Sequence, residues 1–120
     1  MKGFLVFKSI ISLIDGIALV VVPIAYMNLV ELYLGDTGIL MARFFGALLI
    51  GVGLICWFSR GGTRKTVGGT LLALFVADTL GFLIALKGQL AGLMNALGWV
   101  IVAIWLILAL GLAYFRFLKT

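Results

Sequence analysis

Two aspartates and one arginine lie inside long apolar runs, and they are the side chains in this sequence best suited to chemistry. Asp15 occurs in SLIDGIALVV, Asp78 in LFVADTLGFLI and Arg43 in ILMARFFGALLI. A charge at the centre of a membrane helix costs about 2.5–3.5 kcal/mol on insertion scales, so each group needs a partner, a proton or water. Intramembrane acids serve as proton relays, and they also serve as static hydrogen-bonded anchors. The residue types leave both roles open.

Helical spacing adds polar groups on the same face as Asp15. Ser12 lies one turn before it and Lys8 a further turn before that, which forms a polar track (Lys8, Ser12 and Asp15) along one helix. The alternative is that Lys8 extends to the membrane surface and Ser12 bonds to its own helix. If that alternative does not hold, the track predicts a path from the cytoplasmic surface to the middle of the membrane.

The two acids are expected at one depth. Each lies about eleven residues into its apolar run, or roughly 16 Å at 1.5 Å per residue, which is close to the bilayer midplane. Arg43 enters from the opposite side and can reach towards that level, or it can anchor at the interface beside Glu31 or Asp36. We expect a buried polar cluster or proton relay formed by Asp15, Asp78, Arg43, Ser12 and Lys8.

The composition identifies the elements that must position these groups. The chain is 65% hydrophobic and 11% charged, and its mean hydropathy is +1.34, which is typical of membrane proteins. The apolar runs are continuous, and lipid requires each segment to satisfy its own backbone, so helices are favoured over barrel strands. Asp15 within the first run argues against a secretory signal. The sequence predicts an all-α integral membrane four-helix bundle, one transmembrane domain over residues 1–120 with spans at about 4–27, 39–59, 67–87 and 97–117.

The basic residues predict an orientation. Most flank the same ends of the predicted spans, namely Lys2, Lys8, Arg60, Arg64, Lys65, Arg116 and Lys119. Arg43 and Lys87 flank the opposite ends. Cytoplasmic loops are enriched in Lys and Arg, so both termini are expected in the cytoplasm. The net charge of +5 is thereby explained by membrane orientation, and no nucleic-acid partner is expected.

Small residues predict where helices pack. Gly69, Ala73, Ala77, Gly81 and Ala85 recur at every fourth position of the third span, and Gly46, Gly51 and Gly53 form a less regular set in the second. Small side chains let backbones approach closely in lipid. We expect both sets to be helix-packing interfaces, and Trp105 to face lipid or a partner. The acids in the first and third spans also suggest two helix-pair repeats, with coincidence as the alternative.

Metal and cofactor chemistry is not expected. The chain has no His and a single cysteine, Cys56, which excludes an internal disulfide, a CxxC redox pair, His-ligated haem and any zinc site built from His and Cys. No nucleophile with a neighbouring base is visible, so we expect no enzymatic activity.

The stretch DTGILMARFFGALLIGVGLICWFSR, residues 36–60, together with the predicted four spans, resembles small DoxX-like bacterial membrane proteins. This resemblance implies a multi-pass protein of the bacterial cytoplasmic (inner) membrane, and it points to Arg43. Some members are subunits associated with quinone-linked oxidoreductases. The small multidrug transporters are similar in architecture, with a buried acid in the first span, but their surrounding sequence pattern is absent here.

Two functions follow as the main expectations, and an enzyme that acts on a lipophilic substrate through Asp, Arg, Ser and Tyr side chains is the weakest third. The first is a non-enzymatic accessory subunit or assembly partner of a larger membrane complex, acting through helix contacts with other subunits or with its own copies in the lipid bilayer. The alternative is a proton-coupled small-molecule transporter or channel subunit that uses Asp15 and Asp78, with Arg43 as counter-ion.

Overall fold

The computed structural model describes residues 1–33 and 35–118, and of Arg64 only the backbone. The helices of this part are α1 (Lys2–Val21), α2 (Pro23–Asn28), α3 (Asp36–Ser59), α4 (Arg64–Leu90) and α5 (Gly98–Ala113), followed by a π-helical turn (Tyr114–Leu118). No strand occurs in the described residues. The predicted all-α class is confirmed.

Four helices in the described residues are long and apolar enough to cross a membrane. They are α1, α3, α4 counted from Lys65, and α5 together with the π-helical turn. The four predicted segments of spanning length are therefore present. Lys119, which contributed to the predicted orientation, lies outside the described residues.

The chain divides into two compact units, Met1–Gly61 and Gly62–Thr120. The first unit pairs α1 with α3 and carries α2 in the link between them, whereas the second pairs α4 with α5. The boundary lies in the basic loop after α3. Each unit is thus a pair of long helices.

The first apolar run is interrupted where one continuous span was expected. Val22 leaves the helical region, with φ −131° and ψ 59°, and Pro23 begins α2. A proline disfavours helical geometry at the residue before it, and it has no N–H to donate to the carbonyl of Leu19. Proline fits well at the first position of a new helix. The sequence thus ends α1 and starts α2 at this point.

Glycines bring α1 and α3 together at backbone contact. A Cβ added to Gly16 would lie 2.7 Å from the Gly46 carbonyl oxygen, and one added to Gly53 would lie 2.7 Å from Leu13 Cγ. The buried Ser9 hydroxyl donates to the Gly53 carbonyl oxygen over 2.8 Å. The core of the first unit therefore depends on small residues at this crossing.

In the second unit the indole of Trp105 on α5 packs on Gly81 of α4, where a side chain would collide with the ring. Near the start of α4, Arg116 Nε donates to the Gly68 carbonyl oxygen over 3.0 Å. Phe75 and Phe117 stack edge to face near that end, with centroids 5.4 Å apart. Contacts at Gly68, Phe75 and Gly81 of α4 thus hold α5 and the π-helical turn after it.

Helices α2 and α4 end in the same motif. After α4, Leu93 N donates to Gly88 O over 3.0 Å, with Gly92 in the left-handed region at φ +76°. After α2, Leu32 N donates to Met27 O over 3.0 Å, but the left-handed residue is Glu31, with φ 59°. This is the Schellman arrangement, which glycine fits without strain. Glu31 adopts this left-handed conformation at a cost in conformational energy, because it carries a side chain.

Candidate functional site

Asp15 and Tyr26 form the best-defined polar pair of the first unit. The Tyr26 hydroxyl donates to Asp15 Oδ1 over 2.9 Å, and both side chains are half-buried. Asp15 is on α1 and Tyr26 on α2, so the bond spans the break at Val22. An ionised Asp15 makes this a charge-assisted hydrogen bond, roughly twice as strong as a neutral one. The acid expected to need a partner has one nearby in the chain.

The break makes this pair possible. In a straight helix, residues eleven apart are on nearly the same face but about 16 Å apart along the axis, beyond the combined reach of the two side chains. The turn at Val22 and Pro23 shortens that distance to hydrogen-bond length. The local sequence around proline thus positions the site.

The rest of the polar track is buried. Lys8 is 2% exposed and Ser12 is 3% exposed, and Ser9 between them bonds to α3. Small polar side chains thus take part in helix packing on this face of α1. This face of α1 therefore has a role in helix packing, and the proton path along it stays a prediction.

Arg43 lies on α3 and is exposed. It lines a groove formed mainly by the end of α1 and the start of α2, with Val22, Pro23 and Asn28 among its neighbours. Among the described residues Arg43 forms no hydrogen bond or ion pair, so the pairs with Glu31 or Asp36 that the sequence allowed are not formed. The described partner of Asp15 is Tyr26.

Asp78 is buried in α4 of the second unit, with 3% of its surface exposed. It thus shares the burial predicted for an intramembrane acid. The structure describes the two units separately, so the clustering of Asp78 with Asp15 and Arg43 stays a prediction.

The predicted packing residues have different surroundings. On α3, Gly46 and Gly53 contact α1, whereas Gly51 has no atom within 4 Å of an added Cβ in the described chain. On α4, Gly81 lies against Trp105 and Ala85 is buried. The remaining members of the α4 row, Gly69, Ala73 and Ala77, are exposed. The later part of this row, Gly81 and Ala85, thus packs within the second unit, whereas the earlier part is exposed.

Sequence reasoning missed Tyr26, Ser9 and Gly16. The signal for Tyr26 was Pro23, which breaks the run and turns α2 back on α1. Ser9, Ser12 and Gly16 follow small-residue spacing and could have been read as a packing face. Trp105, expected to face lipid or a partner, could have been matched to a glycine on a neighbouring helix.

No group of three or more His, Cys, Asp or Glu side chains within the described residues could hold a metal ion. The chain matches no family model, and comparisons with curated proteins and with solved structures found no significant match.

Proposed function

We propose that the chain is a multi-pass protein of the bacterial cytoplasmic membrane, with both termini in the cytoplasm. Large apolar side chains are exposed on every long helix; examples are Ile14 at 61%, Leu48 at 70%, Ile84 at 72% and Leu110 at 60%. Between 17% and 33% of each spanning window is buried. Exposed apolar surface costs about 25 cal/mol per Å² in water, so hydrocarbon is the solvent that suits these faces.

Within that membrane, the chain acts through helix contacts as an accessory subunit or assembly partner. The observation that carries this proposal is the exposed pair Ala73 and Ala77 on α4, one turn apart on an apolar helix. The same helix uses Gly81 to receive the ring of Trp105, so small residues on α4 already mediate close packing. An open small-residue surface lets another membrane helix approach closely.

Native purification tests this proposal. The intact chain, extracted in mild detergent, should retain a second membrane subunit or a second copy in fixed stoichiometry. Ala77→Leu should reduce that retention, because the larger side chain keeps the partner helix away. Val76→Leu is the matched control, since Val76 is exposed and already branched. Purification as a lone monomer would refute the subunit role while leaving membrane insertion intact.

The bond between Asp15 and Tyr26 favours a second candidate, a proton-coupled transporter or channel subunit. An intramembrane carboxylate beside a helix break is an arrangement found in transporters, which use broken helices to form ion sites. Liposomes containing the intact chain should then show solute uptake driven by a pH gradient. Asp15→Asn and Asp78→Asn should each abolish the flux. If the intact chain carries no tested solute, the subunit role is favoured.

A further inference from the structure

The break between α1 and α2 leaves an open groove of about 390 Å³ beside α3. Its lining consists of Val21, Val22, Pro23, Ile24, Ala25, Asn28 and Arg43. Five of these side chains are apolar, while an amide and a guanidinium supply hydrogen-bond donors. The volume lies within the usual range of small-molecule sites, roughly 300–1,000 Å³. The groove is suited to a ligand with a long apolar part and a polar end.

Arg43 gives the groove its charge. It lies seven residues after Asp36 at the start of α3, about 10 Å along the helix axis. Its guanidinium is exposed and has no anionic partner among the described residues. In a membrane such a cation is costly unless an anion accompanies it. The ligand that complements the groove therefore carries a negative charge.

We propose that this groove binds an anionic phospholipid. The planar guanidinium of Arg43 matches two phosphate oxygens, and the Asn28 amide can donate to the phosphate or to an ester oxygen. An acyl chain would lie along the apolar residues 21–25. This inference rests on the proposed membrane insertion, because the groove meets phospholipids only when the chain lies in a bilayer.

Lipid titration of the full chain, followed by native mass spectrometry, tests the site. The probes are phosphatidylglycerol and phosphatidylcholine with identical acyl chains. The intact chain should bind phosphatidylglycerol more tightly, and Arg43→Gln should lower that affinity about fivefold. Arg43→Lys should keep most of it. Ala25→Phe should also weaken binding, because it fills the groove without changing charge.

Lys87→Gln is the matched control, since Lys87 is exposed and is the other cation predicted on the same side as Arg43. It should leave the affinity for phosphatidylglycerol within twofold. If Arg43→Gln and Lys87→Gln lowered the affinity for phosphatidylglycerol equally, binding would depend on the overall positive charge of the protein. That result would refute a specific site at Arg43. Displacement of the lipid by millimolar inorganic phosphate would also overturn it, because the ligand would then be a free anion.

Alkaline washing of reconstituted vesicles separates this inference from the proposed function. The intact chain should remain in the membrane fraction, as should Arg43→Gln. Loss of the intact chain into the wash would refute membrane insertion itself. Retention of both, with equal phosphatidylglycerol affinities, would refute the lipid site alone.

Discussion

Tyr26 donates a hydrogen bond of 2.9 Å to Asp15, a residue eleven positions earlier in the chain. The two side chains belong to different helices because Val22 and Pro23 end α1 and begin α2. The carboxyl group of Asp15, within an apolar run, thus accepts a hydrogen bond from the next helix in the chain. The break and the acid therefore form one structural feature.

Tyr26→Phe removes the donor and keeps the ring. We expect a loss of about 0.5–3 kcal/mol in the free energy of unfolding, the range from a neutral hydrogen bond to one that involves a charged group. Denaturant unfolding in a fixed detergent measures it. Tyr33→Phe is the control, because Tyr33 is 77% exposed and should change stability by less than about 0.5 kcal/mol. Equal stability of Tyr26→Phe and the intact chain would show that the bond contributes nothing.

Gly46→Ala and Gly51→Ala form a matched pair on α3. The alanine Cβ at position 46 would lie 2.7 Å from the Gly16 carbonyl oxygen, so the helices must separate, at a cost of about 1–3 kcal/mol. Position 51 has open space, and replacing a helical glycine there should stabilise by up to about 1 kcal/mol. Thermal unfolding of both variants tests this. If the unfolding temperatures of both variants shifted in the same direction, the result would contradict the close contact of α1 with α3 at Gly46.

Glu31→Gly should stabilise the first unit. Glu31 has a φ of 59°, and the left-handed conformation costs about 1–2 kcal/mol for a residue with a side chain. Glycine relieves this strain but has a more flexible unfolded state, which leaves a net gain of about 0.5–1 kcal/mol. Glu31→Gln removes the charge without relieving the strain and should change little. A gain of the same size in both variants would assign the effect to charge.

Gly81→Ala and Trp105→Leu should be strongly coupled. Alanine at position 81 collides with the indole, so the single variant should lose about 1–3 kcal/mol of stability. When Trp105 is replaced by leucine first, the same change at position 81 should cost less. A double-mutant cycle measures this coupling, and an interaction energy near zero would mean that the two residues do not pack together.

Composition and continuous apolar patterning were sufficient to predict the helical class and four segments of spanning length. The break at Pro23 was visible in the sequence, but apolar length alone favoured one helix over residues 4–27. The sequence does not distinguish Gly46 from Gly51. Of the two, only Gly46 packs against α1, and this depends on which side of α3 faces that helix. The pairing of Asp15 was unpredictable without the bend, since its partner lies about three helical turns away.

The closeness in sequence of Asp15 and Tyr26 also bears on biosynthesis. Tyr26 follows the acid by only eleven residues, so both members of the pair are synthesised before α3 begins at Asp36. The hydrogen bond of Asp15 therefore does not depend on the second helix pair, and under the proposed membrane insertion the first unit would enter the bilayer with this acid already paired. Chain release at residue 61 should yield a hairpin that inserts on its own.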